Sequence, residues 1–417
     1  MKRRDFTRKF ATISGLGVLG DVVSRTTAFS NDINAVKQKQ TGPLAITMWD
    51  FSWLERRWPG AGYEDWDKIL DELVERGYNA VRIDAYPHLV SENPAKEWTL
   101  IPVWNQQVWG SPDINKVVVQ PALNTFISKC RDRNIKVALS TWYREDIDNT
   151  RMKINSPEKM GENWLKTMDT IGKDNLTDNI IYVDLCNEWP GDLWAPFFKN
   201  DPPGKTWGYW HTDKSIKWMK ESIEVVRRQY PDIPLCYSFD SEQVEYYSEK
   251  NLSFFDLIEH HVWMAKENNG EFFKAVRYNY GRFSPQDFKN LVEKGEKTYR
   301  QRPQYWQKLL TDKIKLLAEN ARNAKLPLIT TECWSVVDYK DWPLLNWDWV
   351  KDLCELGTLT AAATGQWIAV ATSNFCGPQF AGMWRDIKWH RSITDRIKAS
   401  KINESSLNDK IKKRISH

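Results

Sequence analysis

Two glutamates in this chain each close an apolar run. In "IIYVDLCNEWPGD", residues 180–192, a strand-like stretch delivers Asn187 and Glu188 to its tip; in "LITTECW", residues 328–334, another delivers Glu332. A carboxyl held at the end of a buried strand is partly desolvated, which raises its proton affinity. Two such groups in unequal surroundings can divide labour: one protonates a leaving oxygen while the other attacks carbon or activates water. That is the chemistry of glycoside hydrolysis. Either glutamate alone reads equally well as a strand that has reached water, and only their joint placement argues for more.

For the pair to meet, both strands must open onto one face. From residue 43 onward strand-like and helix-like segments alternate. The strand candidates are 44–49, 79–85, 135–141, 180–186, 234–239, 254–261, 327–332 and 360–367. Helical patterns such as "YEDWDKILDELVERG", "PALNTFISKCRDR" and "SIKWMKESIEVVRRQY" lie between them. Eight strands alternating with helices predict an α/β (β/α)8 TIM barrel, with Glu188 on the fourth strand and Glu332 on the seventh. Helix-to-strand links are tight, whereas the strand-to-helix loops 86–120, 187–213 and 262–302 are long. Those long loops gather at the carboxyl ends of the strands, where barrel active sites sit. A doubly wound open sheet would favour a glycine-rich first loop, which is missing here.

The composition agrees with a sugar ligand. The chain carries 23 Trp, 15 Tyr and 16 Phe, too many aromatics for a polar chain to place entirely in its core. The predicted loops hold Trp98, Trp104, Trp109, Trp189, Trp194, Trp207, Trp210, Trp263, Trp334 and Trp342. Flat apolar rings with a polar edge suit the faces of sugar rings. Charge is nearly balanced, 59 Lys+Arg against 55 Asp+Glu, with no basic block interleaved with aromatics, which disfavours a nucleic-acid partner.

Residues 1–30 read as an export signal. A basic start with Arg3-Arg4 and Phe6 resembles the twin-arginine type, and the apolar stretch from Phe10 to Val23 is too short to span a bilayer. Export, to the periplasm, is the expectation. The run Gly15-Leu16-Gly17-Val18-Leu19-Gly20 matches a dinucleotide fingerprint, but it lacks a preceding strand and is followed by polar linker, residues 31–42. Residues 43–398 form the expected catalytic barrel, and 399–417 a polar C-terminal tail, frayed or folded as a short surface helix. Six scattered cysteines show no metal-ligand spacing and leave the disulfide state open.

With the two glutamates on strands four and seven, the chain resembles clan A of the glycoside hydrolases, the cellulase-like retaining barrel enzymes. The resemblance implies Glu188 as acid/base and Glu332 as nucleophile, with Asn187 donating to a sugar hydroxyl. "AVRIDAY" resembles the second strand of the clan, implying that Arg82 keeps the nucleophile ionised. "HHVWM" resembles the sixth, where His261 carries over and Trp263 stands in place of the usual tyrosine. "GQW" resembles the eighth, implying Trp367 as the floor of the cleaved sugar's subsite. Trp189 departs from a common proline and is a candidate for sugar selection.

Rival readings exist. Arg82 and Asp84 share a strand face and could form a structural ion pair. His260 and His261 are adjacent and point to opposite faces, so at most one enters the site. His88 and Trp142 follow strands two and three and line either the pocket or the core. Neither a cofactor nor a metal is expected. The function classes in contention are a retaining β-glycosidase acting on an oligo- or polysaccharide, a metal-dependent barrel enzyme using Glu188, Glu332 and histidines, and a non-catalytic carbohydrate-binding barrel. Six histidines in all make the metal reading poor in ligands.

Overall fold

The computed structural model describes residues 42–103, 109–240, 242–279, 284–339 and 346–416. The expected export signal, linker residues 31–41, Trp104 and Trp342 lie outside the described residues.

Eight parallel strands form the centre: β1 Leu44–Asp50, β2 Ala80–Asp84, β3 Lys136–Ser140, β4 Ile180–Asp184, β5 in two segments Leu235–Cys236 and Ser238–Phe239, β6 Ile258–His260, β7 Leu328–Thr330 and β8 Trp367–Ala371. Each neighbours the next, and β8 pairs with β1 through Leu44 opposite Ala369. The first segment of β5 pairs with β4, Val183 opposite Leu235, and the second with β6, Phe239 opposite His260. Because one strand carries both pairings, the sheet closes into a (β/α)8 barrel. Its strands are apolar on both faces, as parallel strands covered by helices must be, except where polar side chains enter the lumen.

Several helices start at side-chain caps. Asp65 accepts from Lys68 N–H ahead of Trp66–Glu75, and Ser156 from Lys159 N–H ahead of Pro157–Lys173. Two strand boundaries differ from expectation. Residues 360–363 belong to the helix Asp348–Ala363, which Gly365 (φ +71°) terminates, so β8 begins at Trp367 instead of ending there. The Thr-Ala-Ala-Ala run has high helix propensity and continues a helix already anchored by Trp349, Val350 and Leu353. In the stretch 254–261 only Ile258–His260 pairs as strand.

Residues beyond 399 continue the fold. The helix Asp409–Ile415 buries Ile411 and Ile415, and Arg414 Nη1 donates to the carbonyls of Thr177 and Ile180 at the foot of β4. All six cysteines are buried free thiols. Among the described residues no helix is long and apolar enough to cross a membrane.

Candidate active site

Arg82 on β2 points into the barrel and is fully shielded from solvent. Its Nη2 donates to Asp184 Oδ2 at 2.6 Å, to Asn187 Oδ1 at 2.8 Å and to Ser140 Oγ at 2.9 Å. Its Nη1 donates to Glu332 Oε1 at 3.3 Å, and its Nε lies 3.4 Å from Glu259 Oε1. Burial by itself would weaken its hold on the proton, but Glu259 and Asp184 overcome that and keep the guanidinium firmly charged. The indole of Trp142 packs on its guanidinium, 4.7 Å from Cζ to ring centre. Asp84 does not pair with Arg82. Its oxygens accept from the backbone N–H groups of Tyr86 and Trp142, and burial pushes its carboxyl up to about 7.

Glu188 follows β4 with a left-handed backbone, φ 46°, and its N–H donates to Ser238 Oγ at 3.0 Å. Its Oε1 and His261 Nδ1 share a hydrogen bond of 2.9 Å, and Trp194 Nε1 donates to its Oε2 at 3.4 Å. Burial raises its proton affinity, while the Lys266 ammonium pulls the other way. Glu332 sits between β7 and the short strand Cys333–Trp334. Burial pushes its carboxyl far up, and the neighbouring Glu188 adds to that push. One atom each from Glu188, His261 and Glu332 lie within 4.8 Å of one another. Two carboxyls this close share protons as a unit. Arg82 touches Glu332 and not Glu188, so at contact distance its charge opposes the upward push on the Glu332 carboxyl. Burial and the Arg82 charge press the proton affinity of His261 well below its ordinary value, so its imidazole is neutral.

A cavity of about 330 Å³ opens above this cluster. It is lined by Asp50, Asn187, Glu188 and Glu332, by the indoles of Trp109, Trp142, Trp194, Trp207 and Trp263, and by Asp240, Lys266, Asp338 and Asn374 among others. The structure therefore brings together Arg82, Trp142, Asn187, Glu188, His261, Trp263 and Glu332. Three expectations are corrected. Trp367 opens β8, at the end of the strand away from the cavity, and its Nε1 donates to Thr330 Oγ1 within the barrel wall. His88 is outside the cavity lining, and its Nε2 bonds to the carbonyl of Arg144. Trp189 is core: its ring packs on Phe198, Trp218 and Tyr237, and its Nε1 donates to Ser215 Oγ. The loop tryptophans thus divide, with Trp98, Trp210 and Trp334 also buried outside the cavity lining.

Sequence reasoning passed over Asp50, Asp184, Asp240, Glu259, Lys266 and Asn374. The signal that singled out Glu188 and Glu332 was there for two of them, since "LAITMWD" and "CYSFD" also end apolar runs in a carboxylate. Glu188, His261 and Glu332 could in principle hold a metal. Arg82 already supplies the positive charge beside Glu332, which works against a cation there.

A closed (β/α)8 barrel with largely buried glutamates after its fourth and seventh strands has the architecture of the clan A glycoside hydrolases. A model of the cellulase-like family, described as sugar-binding cellulase-like, matches residues 46–398, and the chain belongs to that family. A crystal structure of a protein from Parabacteroides distasonis ATCC 8503, provisionally described as a glycoside hydrolase, is 62% identical. It covers 90% of this chain and 99% of its own, with a TM-score of 0.88. More distant likenesses include an endoglucanase (13% identity, 86% of this chain and 97% of its own, TM-score 0.48). Another is GH5_18 from Streptomyces cattleya in complex with GlcNAc (10% identity, 86% and 80%, TM-score 0.48). No curated protein matches the chain.

Proposed function

We propose that this protein is a retaining β-glycosidase in which Glu188 is the acid/base and Glu332 the nucleophile. The observation that carries the reading is the spacing of the two carboxyls. Their facing oxygens lie within 4.8 Å, a short spacing that favours direct attack on the sugar over the wider separation an inverting pair keeps for its water.

In the first step the Glu188 proton passes to the glycosidic oxygen as Glu332 attacks the anomeric carbon, and the bond from that carbon to the leaving oxygen breaks. In the second, Glu188 as carboxylate takes a proton from water, whose oxygen displaces Glu332 and frees the sugar. The surroundings support this division. Glu188 can rest its proton on His261 Nδ1, with Nε2–H then facing the Glu259 carboxylate 3.9 Å away. Asn187 spends its Oδ1 on Arg82 and keeps a buried Nδ2 with no partner, a donor suited to a hydroxyl beside the anomeric carbon. The family relationship and the 62% identical relative support a carbohydrate substrate.

The test is covalent trapping. Incubation with deoxyfluoro-glycosyl fluorides followed by peptide mass mapping should place the sugar on Glu332. Absence of any label, together with no turnover of a panel of aryl β-glycosides and β-glycans, would remove the reading. The twin-arginine-like start extends the proposal to an exported enzyme, checked by sequencing the N-terminus of the mature protein.

A further inference from the structure

In the ring of eight strands β8 stands opposite β4, so Asn374, after β8, and Glu188, after β4, line opposite sides of the catalytic cavity. The two sides are built differently. Towards the loops after β4, β5 and β6 the cavity continues, because Trp207, Asp240, Trp263 and Lys266 also line an adjoining space of about 360 Å³. Towards β8, β1 and β2 the loops are laced together. Trp109, in the loop after β2, packs edge-on against Phe380 of the loop after β8, with ring centres 4.8 Å apart. Its neighbour Gly110 donates its N–H to Ser52 Oγ at 2.8 Å, and the Gly110 carbonyl accepts from Arg56 Nη1 at 3.0 Å; both partners follow β1. Tyr63, also after β1, donates its hydroxyl to Gln379 Oε1 at 2.8 Å. A Cβ on Gly110 would lie 2.3 Å from Phe51 Cε2, so the seam has no slack.

Asn374 stands at this closed end and is 1% exposed. Its Nδ2 donates to the carbonyl of Val337 at 3.0 Å. A carbonyl only accepts, so the orientation of the amide is fixed and Oδ1 is left as the acceptor. That oxygen is buried without a partner, an arrangement that costs stability until a ligand supplies the hydrogen. We infer that the protein removes single sugars from the non-reducing ends of β-linked chains, with Asn374 Oδ1 accepting from a hydroxyl that only a terminal sugar presents. The inference rests on the glycosidase reading: the leaving group departs towards Glu188, so the sugar left on Glu332 extends the other way, towards Trp109 and Asn374. A sugar inside a chain would carry a glycosidic oxygen there, with no proton to give Asn374, and a further ring that would run into the seam of Trp109 and Phe380. A terminal sugar carries a hydroxyl, which donates.

Nitrophenyl biosides separate the two modes of attack. The nitrophenyl β-glucoside, β-galactoside and β-mannoside, and the β-1,4- and β-1,3-linked biosides of each, are followed by chromatography of their first products. Monosaccharide is the expected first sugar from every compound that reacts, with nitrophenol released directly from a monoside. Disaccharide released as a first product would overturn the inference and leave the glycosidase standing. No reaction and no covalent label would remove the glycosidase reading and the inference together. The part of Asn374 is tested by a cycle that sets the 3-, 4- and 6-deoxy analogues of the best monoside against wild type and Asn374→Leu. In wild type the loss of one of these hydroxyls should lower kcat/KM about a hundredfold, because it strands a buried acceptor, and in Asn374→Leu that penalty should shrink to about threefold or less. A penalty of equal size in both proteins, or none at any position in wild type, would overturn the role of Asn374. The bioside products need no variant and decide the mode of attack whether or not Asn374→Leu folds.

Discussion

Arg82 Nη1 lies 3.3 Å from Glu332 Oε1, and the same guanidinium reaches Asp184 Oδ2 at 2.6 Å and Asn187 Oδ1 at 2.8 Å. One buried cation thus favours the charged form of the proposed nucleophile and sets the posture of the residue beside the proposed acid. Lysine keeps the charge but cannot reach all these partners from one planar fork. Arg82→Lys is expected to lower kcat/KM by about a hundredfold or more, in the range lost when a preorganised electrostatic partner goes. Arg82→Ala leaves Asp184, Glu259 and Glu332 without their counter-ion and should cost about 3–5 kcal/mol of stability. Steady-state kinetics and thermal melts of the two variants check both expectations.

The two glutamates should fail differently. Glu332→Gln removes the attacking oxygen and should abolish turnover of every substrate. Glu188→Gln removes only proton transfer, which contributes about 10²–10⁴-fold, so glycosides with strongly acidic phenol leaving groups should still react in their first step. A burst of phenol followed by slow release, restored by azide as an external nucleophile, is the expected signature. Equal loss on all substrates would reverse or void the assignment.

Chelation offers a simple discrimination. Glu188, His261 and Glu332 converge as metal ligands would, yet the Arg82 charge already sits against Glu332. Activity on an aryl glycoside should be undiminished after dialysis against EDTA. A loss restored by a divalent ion would favour the metal-dependent alternative.

The alkaline limb of the activity profile should report Glu188. Its proton affinity is raised by burial, and the proposed first step needs that proton, so activity falls as pH rises through its folded pKa. Trp194 Nε1 donates to Glu188 Oε2 and favours the charged form. Trp194→Phe keeps the ring and loses the donor, so the alkaline limb of kcat/KM should move to higher pH, by less than about one unit for so long a hydrogen bond. Movement to lower pH would contradict the assignment of Glu188 as the acid.

Much of this site was legible in the sequence because a barrel reports its geometry through strand order. An apolar run that ends in a carboxylate marks a tip, and counting runs put Glu188 and Glu332 on the strands where they stand. What failed was register. The Ala-rich run before Trp367 has no polar periodicity, so strand and helix were indistinguishable there, and reading it as strand carried Trp367 from the start of β8 to its end. Trp189 shows a second limit. Its position after Glu188 suggested sugar contact, but the turn sends the indole back onto Phe198 and Tyr237, a direction no local pattern encodes. Lys266 and Asp240 meet only because β5 and β6 are neighbours, so their pairing emerges from the closed sheet.

Asp50 joins stability to the site and gives a prediction with a definite sign. It ends β1 in a left-handed conformation (φ 41°), is 2% exposed and lines the catalytic cavity. Ser52 N–H donates to its Oδ1, but burial outweighs this and pushes the carboxyl up to about 8 from 3.8. Between those values the folded chain holds a proton that the unfolded chain has released. Stability tied to this group is therefore fully present below about pH 4 and drains away as pH rises toward 8. Asp50→Asn keeps an acceptor for Ser52 and never ionises, so it escapes that loss. The variant should melt higher than the wild type at pH 8, with the difference shrinking as pH falls and vanishing near pH 4. If the cavity uses the Asp50 carboxyl to hold the sugar, the same variant should also show a raised KM, a trade of binding for stability common at buried polar sites. Thermal melts across pH 4–8, paired with kinetics on one aryl glycoside, decide both points, and a melting difference that grows toward low pH would show that Asp50 is ionised in the folded enzyme.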